Sequence, residues 1–91
     1  MNDDSNTYQG ESEPAQRELT FGEKAVGLSF NPSGNKTVEF IKRDFALAID
    51  RLHALRSAES ATADQIRMYS VAITELQTGQ MWAVKAATWQ F

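Results

Sequence analysis

The sequence has no cysteine, a single histidine (His53) and two prolines among its 91 residues. Without cysteine there is no disulfide, and one histidine falls short of the roughly four Cys, His or acidic ligands that a structural zinc site takes. No apolar run approaches the roughly 20 residues of a membrane span, and the N-terminus lacks the basic-then-apolar layout of a secretion signal. A soluble, cytosolic protein is therefore expected. Basic residues are also outnumbered, nine Lys and Arg against twelve Asp and Glu, for a formal charge of -3. Residues 1–14 contain four acids and no base, so residues 15–91 carry nine bases and eight acids. A body so close to neutral lacks the basic field with which proteins hold long duplexes through many phosphates.

A chain this short makes one domain at most and buries only about 60 % of the surface its unfolded form exposes. With disulfides and metal excluded, self-association or unusually good helix packing has to supply the missing stability.

The first 14 residues, MNDDSNTYQGESEP, are polar, and besides the start Met they hold one large apolar side chain, Tyr8. Such a stretch cannot bury enough to offset its ordering entropy, and a mobile acidic arm over 1–14 is expected ahead of a single helical domain over 15–91. Thr20-Phe21-Gly22-Glu23 fits a capping box, and Gly27 suits the position just past a helix end, so a short helix is predicted from about Phe21 to Val26. The Leu28-to-Asn35 segment, with Asn31-Pro32-Ser33-Gly34 inside it, is a loop, and Asn35 or Thr37 can cap the second helix.

From Thr37 to about Ser57, Val38, Ile41, Phe45, Ala48, Leu52 and Leu55 recur at helical spacing and predict one contact stripe. Glu39, Lys42, Arg43, Asp50 and Arg51 fall opposite it and read as a solvated face. Thr62 and Gln65 make a second capping box, with Asp64 well placed against the helix dipole, and open a third helix running to about Thr88. That helix is too apolar for one stripe. Ile66, Tyr69, Ile73, Leu76 and Gln80 form a row for the second helix, while Thr78, Trp82, Lys85 and Trp89 form another. Ala72, Gly79, Ala83 and Ala86 make a small-residue face that permits close helix approach. Surplus apolar faces point to a subunit interface in the C-terminal half, where Trp contributes strongly. The competing reading is that Trp82 and Trp89 cover the short first helix.

Catalytic chemistry is poorly supplied. No Ser lies in a Gly-x-Ser-x-Gly elbow, and there is no Cys nucleophile. Gly22 and Gly27 do not frame a phosphate-cradling loop, which would end in Gly-Lys-Ser/Thr. Asp44 and Asp50, six apart on one helix, are poorly aligned for shared acid–base work. His53, beside Leu52 and within reach of Asp50 and Arg56, reads as a boundary histidine. Binding without turnover is the better class, with no cofactor. One ligand type it allows is small, aromatic and anionic, stacked on Tyr8 and met at a phosphate by Lys24.

Ala25-Val26-Gly27-Leu28-Ser29-Phe30-Asn31-Pro32-Ser33-Gly34, then Ala48-Ile49-Asp50-Arg51-Leu52, then the run from Ala72 through Gln80-Met81-Trp82-Ala83-Val84-Lys85 to Trp89, resemble the phage anti-CBASS protein two family of cyclic-oligonucleotide sponges. The likeness spans roughly residues 20 to 89. It implies an all-α protein, a short N-terminal helix plus a long antiparallel helical hairpin, assembled as a homo-hexamer built as a trimer of dimers. It implies that cyclic dinucleotides such as 3′,3′-cGAMP, messengers of bacterial CBASS immunity, are held intact between protomers in the cytoplasm of the infected host, so that their effectors stay silent. The family's stacking Tyr and phosphate-binding Lys carry over to Tyr8 and Lys24, with Asn31 of the adjoining loop beside them. A second family site, for cyclic trinucleotides, uses an Arg and a Thr one turn apart on the long helix. Arg67 is the only Arg there, Val71 stands where the Thr would be, and Ser70 offers a hydroxyl one position earlier. Taken by itself, Arg67 is a solvated first-turn residue. The resemblance implies no long nucleic acid and no membrane as partners. The alternative function is an oligomeric helical adaptor that inhibits a host protein by direct contact.

Overall fold

The computed structural model describes residues 17–91, so Tyr8 and the rest of the 1–14 arm lie outside the described residues. Three helices occur in order, α1 (Phe21–Ala25), α2 (Lys36–Arg56) and α3 (Ala63–Ala87), with no strand among the described residues. Each begins where the local chemistry demands. Thr20 and Glu23 close a reciprocal capping box on α1, Asn35 accepts from the Val38 amide at the head of α2, and Thr62 and Gln65 close a second box on α3. Gly27 takes φ 64° just after α1, a conformation that costs most other residues energy.

α2 and α3 form an antiparallel hairpin, since Arg56 meets Ser70 near the turn and Phe45 packs over Gly79 farther along. α1 is too short to hold its shape in isolation. It lies along the hairpin instead, antiparallel to α2, with Phe21 stacked on His53 at 4.1 Å and the Gly22 amide donating to Asp50 Oδ1 at 2.7 Å. Gln77 of α3 donates to the Ala25 carbonyl from the other side. The core sits where the three elements meet: Val26, Leu28, Ala46, Ile49 and Ile73, with Ala25, Phe45, Leu52 and Leu76 around them. Ile49 is fully buried.

The inner face of α2 is rotated from the expected stripe. Val38, Lys42, Ala46 and Ile49 point inward, while Ala48 and Leu55 are exposed. The rotation arises because α2 serves two neighbours: α3 takes the flank of Phe45 and Leu52, and α1 with its loop takes the flank of Lys42 and Asp50. The most buried row lies between these flanks. Lys42 and Asp50 are therefore not part of a solvated face. Both turn toward backbone groups at the two ends of α1, which need hydrogen-bond partners once water is displaced. Of the row expected on α3, Ile73 and Leu76 join the core and Gln80 is buried, whereas Ile66 at its start is exposed, beyond the reach of the core.

Two expectations test this packing. A Cβ at Gly22 would drive into the Ala46 carbonyl and lie 2.9 Å from Asp50 Oδ1, whereas a Cβ at Gly34 meets nothing within 4 Å. Gly22→Ala should lower unfolding free energy by about 2–3 kcal/mol, measured in urea, even though Ala is the better helix former. Gly34→Ala, strained only in its own backbone, should cost about 1 kcal/mol. Arg17 forks onto Glu23 at 2.8 and 2.9 Å. That fork, together with the Thr20 amide, holds the Glu23 carboxyl at about 2, against 4.5 for a free side chain. A folded value below the unfolded one means that Glu23 stabilises the protein at neutral pH, and that this contribution is lost as pH falls from about 4.5 through about 2. Glu23→Gln keeps the capping pattern, so it should flatten the pH dependence of unfolding in that window while leaving α1 formed.

Candidate functional site

The Lys24 ammonium projects from the last turn of α1, where a cation is favourable against the helix dipole. It pairs with Glu18 at 2.7 Å, and the two side chains are 57 % and 82 % exposed. So solvated a pair contributes little, and a ligand phosphate can take the carboxylate's place. The pairing holds the Glu18 carboxyl below its ordinary value, through the hydrogen bond from Lys24 first and its charge second.

Asn31 begins the loop's tight turn. Its side-chain amide donates to the Asn35 carbonyl at 2.9 Å, and its Oδ1 accepts from the Asn35 amide at 3.2 Å. Both ends of the side chain are thus engaged in closing the Asn-Pro-Ser-Gly turn onto the head of α2. Asn31 shapes the turn that leads into α2, and this closure uses one of its two amide hydrogens and one of the two lone pairs on Oδ1.

Arg67 and Ser70 stand three residues apart on α3, neighbours along the helix surface, but in different surroundings. Arg67 is exposed in the second turn of α3, whereas the Ser70 hydroxyl donates to the Ile66 carbonyl at 2.8 Å and accepts from Arg56 at 3.0 Å. Arg56 also lies 2.9 Å from His53 Nδ1 and 5.3 Å from the Phe21 ring centroid. Ser70 and His53 thus belong to a seam that ties α1, α2 and α3 together. His53 is a boundary residue as expected, although its partners are Phe21 and Arg56 while Asp50 turns to Gly22.

Lys42 escaped the sequence reading. Its ammonium donates to the carbonyls of Gly27 at 2.9 Å and Phe30 at 2.5 Å and lies 5.5 Å from the Phe30 ring centroid. Burial pushes its pKa down. A signal was present: Lys42 is the one charged residue in the row Val38, Lys42, Ala46, Ile49, and a lysine in the middle of an apolar row needs acceptors of its own.

At the far end of α3 the indoles do not cover α1. Trp82 and Trp89 are 65 % and 58 % exposed, with the Lys85 ammonium 5.3 and 5.7 Å from their ring centroids. Met81, Trp82 and Lys85 line an open cleft there, and Phe91 meets Trp89 edge-on. The competing reading of the two tryptophans is thereby corrected: α1 packs against Asp50, His53 and Gln77 instead, and both indoles stay exposed. Among the described residues no group of three His, Cys, Asp or Glu side chains could hold a metal ion, and no helix is long and apolar enough to cross a membrane.

Comparison with known proteins places this arrangement. The family model described as Acb2/Tad1, hairpin domain, matches residues 23–88, from Glu23 in α1 to Thr88 at the end of α3. No curated protein and no solved structure matches the chain. The matched span covers the helical hairpin, the Asn-Pro loop and most of α1, and the chain belongs to the Acb2/Tad1 hairpin family, the family of anti-CBASS protein 2.

Proposed function

We propose that this protein is a phage immune-evasion sponge that binds and sequesters cyclic dinucleotides such as 3′,3′-cGAMP in the cytoplasm of the infected host, without cleaving them. The observation that carries the reading is the family match over 23–88. Beside it stands a weakly paired, solvated Lys24 on a short helix that is held rigidly from both ends. Lys24 would meet a phosphate, Tyr8 would stack on a base, and Asn31 would line the rim. A homo-hexamer, a trimer of dimers, would bring two such sets together around one two-fold ligand, with the exposed Trp82 and Trp89 face of α3 covered between protomers.

Sequestration makes a demand on affinity. A nanomolar constant corresponds to about -12 kcal/mol, and base stacking contributes about 1–3 kcal/mol per base. Two stacks and two phosphate contacts do not reach that figure in open water, so the pocket would have to exclude solvent, and release should be slow. A trinucleotide site at Arg67 has less support, because Val71 carries no hydroxyl and the Ser70 hydroxyl is already engaged.

Incubation with 3′,3′-cGAMP, repurification and denaturation should return the intact nucleotide in stoichiometric amount. Degraded nucleotide would mean an enzyme, and no retained nucleotide would mean a protein-binding adaptor. Tyr8→Ala and Lys24→Ala should each weaken binding at least about tenfold by calorimetry, with the oligomer unchanged in analytical ultracentrifugation. Wild-type affinity in either variant would remove that residue from the site.

A further inference from the structure

We propose that Lys42 is a positioning residue of the ligand site: its buried ammonium clamps the turn from Gly27 to Phe30 onto α2 and so fixes Lys24, ahead of that turn, relative to Asn31, behind it. The inference rests on the ligand site proposed above.

The hydrogen bonds lead step by step from one candidate contact to the other. The Gly27 amide donates to the Lys24 carbonyl at 3.1 Å, and the Gly27 carbonyl accepts both the Phe30 amide at 2.9 Å and the Lys42 ammonium at 2.9 Å. The Phe30 carbonyl accepts Lys42 as well, and the next residue, Asn31, locks to Asn35 at the head of α2. Among the described residues no other hydrogen bond reaches the Phe30 carbonyl. The ammonium is therefore the one group that ties both ends of the turn to a long helix. Leu28, between those ends, is seated in the core.

Filling space does not account for a lysine here. A buried cation without a counter-charge is costly, and a methionine would occupy a similar volume at lower cost. The ion pairs among the described residues, Arg17–Glu23, Lys24–Glu18 and Arg43–Glu39, leave Lys42 out. What the ammonium supplies and an apolar side chain cannot is a multiple donor able to hold two carbonyls at once. Phe30, 72 % exposed, lays its ring 5.5 Å from the cation and adds a favourable aromatic contact.

The absence of cysteine allows a clean test. Lys42→Cys, alkylated with 2-bromoethylamine while unfolded and then refolded, regains an ammonium at nearly the original reach. Alkylation with a propyl group gives a neutral control of equal length. The aminoethylated protein should bind 3′,3′-cGAMP like wild type carried through the same refolding. The propylated protein and Lys42→Met should bind at least tenfold more weakly. In both weakened forms the amides of residues 27–34 should exchange faster with deuterium, while those of α2 and α3 keep wild-type protection. Wild-type affinity in the propylated protein or in Lys42→Met would overturn the positioning role. So would loss of protection throughout α2 and α3, since the effect would then be one of global stability. Failure of wild type itself to bind would instead overturn the sponge reading, and exchange in residues 27–34 would still decide the clamp.

Discussion

The close approach of α1 to α2 at Gly22 and Ala46 is the contact on which the rest of the arrangement depends. With no Cβ at Gly22, the two backbones come near enough for Asp50 to accept the Gly22 amide and for Phe21 to lie flat on His53. The same approach brings Val26 and Leu28 onto Ile49, the one fully buried side chain among the described residues. A five-residue helix has almost no stability of its own. Its position comes instead from a carboxylate at its first turn and an ammonium just past its last, both projecting from α2. The candidate ligand residue Lys24 inherits its rigidity from those two polar anchors.

Helix boundaries were legible because they depend on neighbours within four residues. Thr20 with Glu23, Asn35, and Thr62 with Gln65 cap as their spacing predicts, and each predicted end lies within one residue of the observed one. The inner face of α2 was not legible in the same way. Counting apolar residues finds the flank facing α3, with Phe45 and Leu52, but is blind to the flank whose task is to satisfy backbone groups. Asp50 and Lys42 read as surface because they are charged, yet they face inward because α1 and its loop present an unpaired amide and two carbonyls. Of the candidate site, Lys24 was legible as an exposed cation near the Asn-Pro loop. The closure of Asn31 onto Asn35 and the engagement of Ser70 with Arg56 depend on partners that only the folded chain brings near.

Electrostatics also separates structural cations from available ones. Arg17 makes a forked contact with a Glu23 whose side chain is 13 % exposed, and Lys42 is held by carbonyls, so neither is free to turn to a phosphate without loss. Lys24 differs, since its partner Glu18 is 82 % exposed and is readily exchanged. A weakly held carboxylate would keep the cation extended and solvated for a stronger anion to displace it. Under the proposed function, selectivity would come less from a basic surface, which a body with nine bases and eight acids does not have, than from a cation whose solvated carboxylate partner is replaceable.

The apolar surface leads to the same view of how so small a chain works. Among the described residues six apolar side chains are buried, while large ones such as Phe40, Leu47, Met81, Trp82 and Trp89 are exposed. Of the 25 residues of α3 only Ile73 and Gln80 are buried. A helix that is apolar on several sides yet covered on one calls for a partner, and two exposed indoles flanking a lysine at its end are costly to leave in water. A second copy would meet that need with the same surface that the proposed sponge would use to close its pockets. Association would then both stabilise the fold and complete the site. Coupling of stability to assembly would let a chain of 91 residues enclose a ligand that one copy is too small to surround.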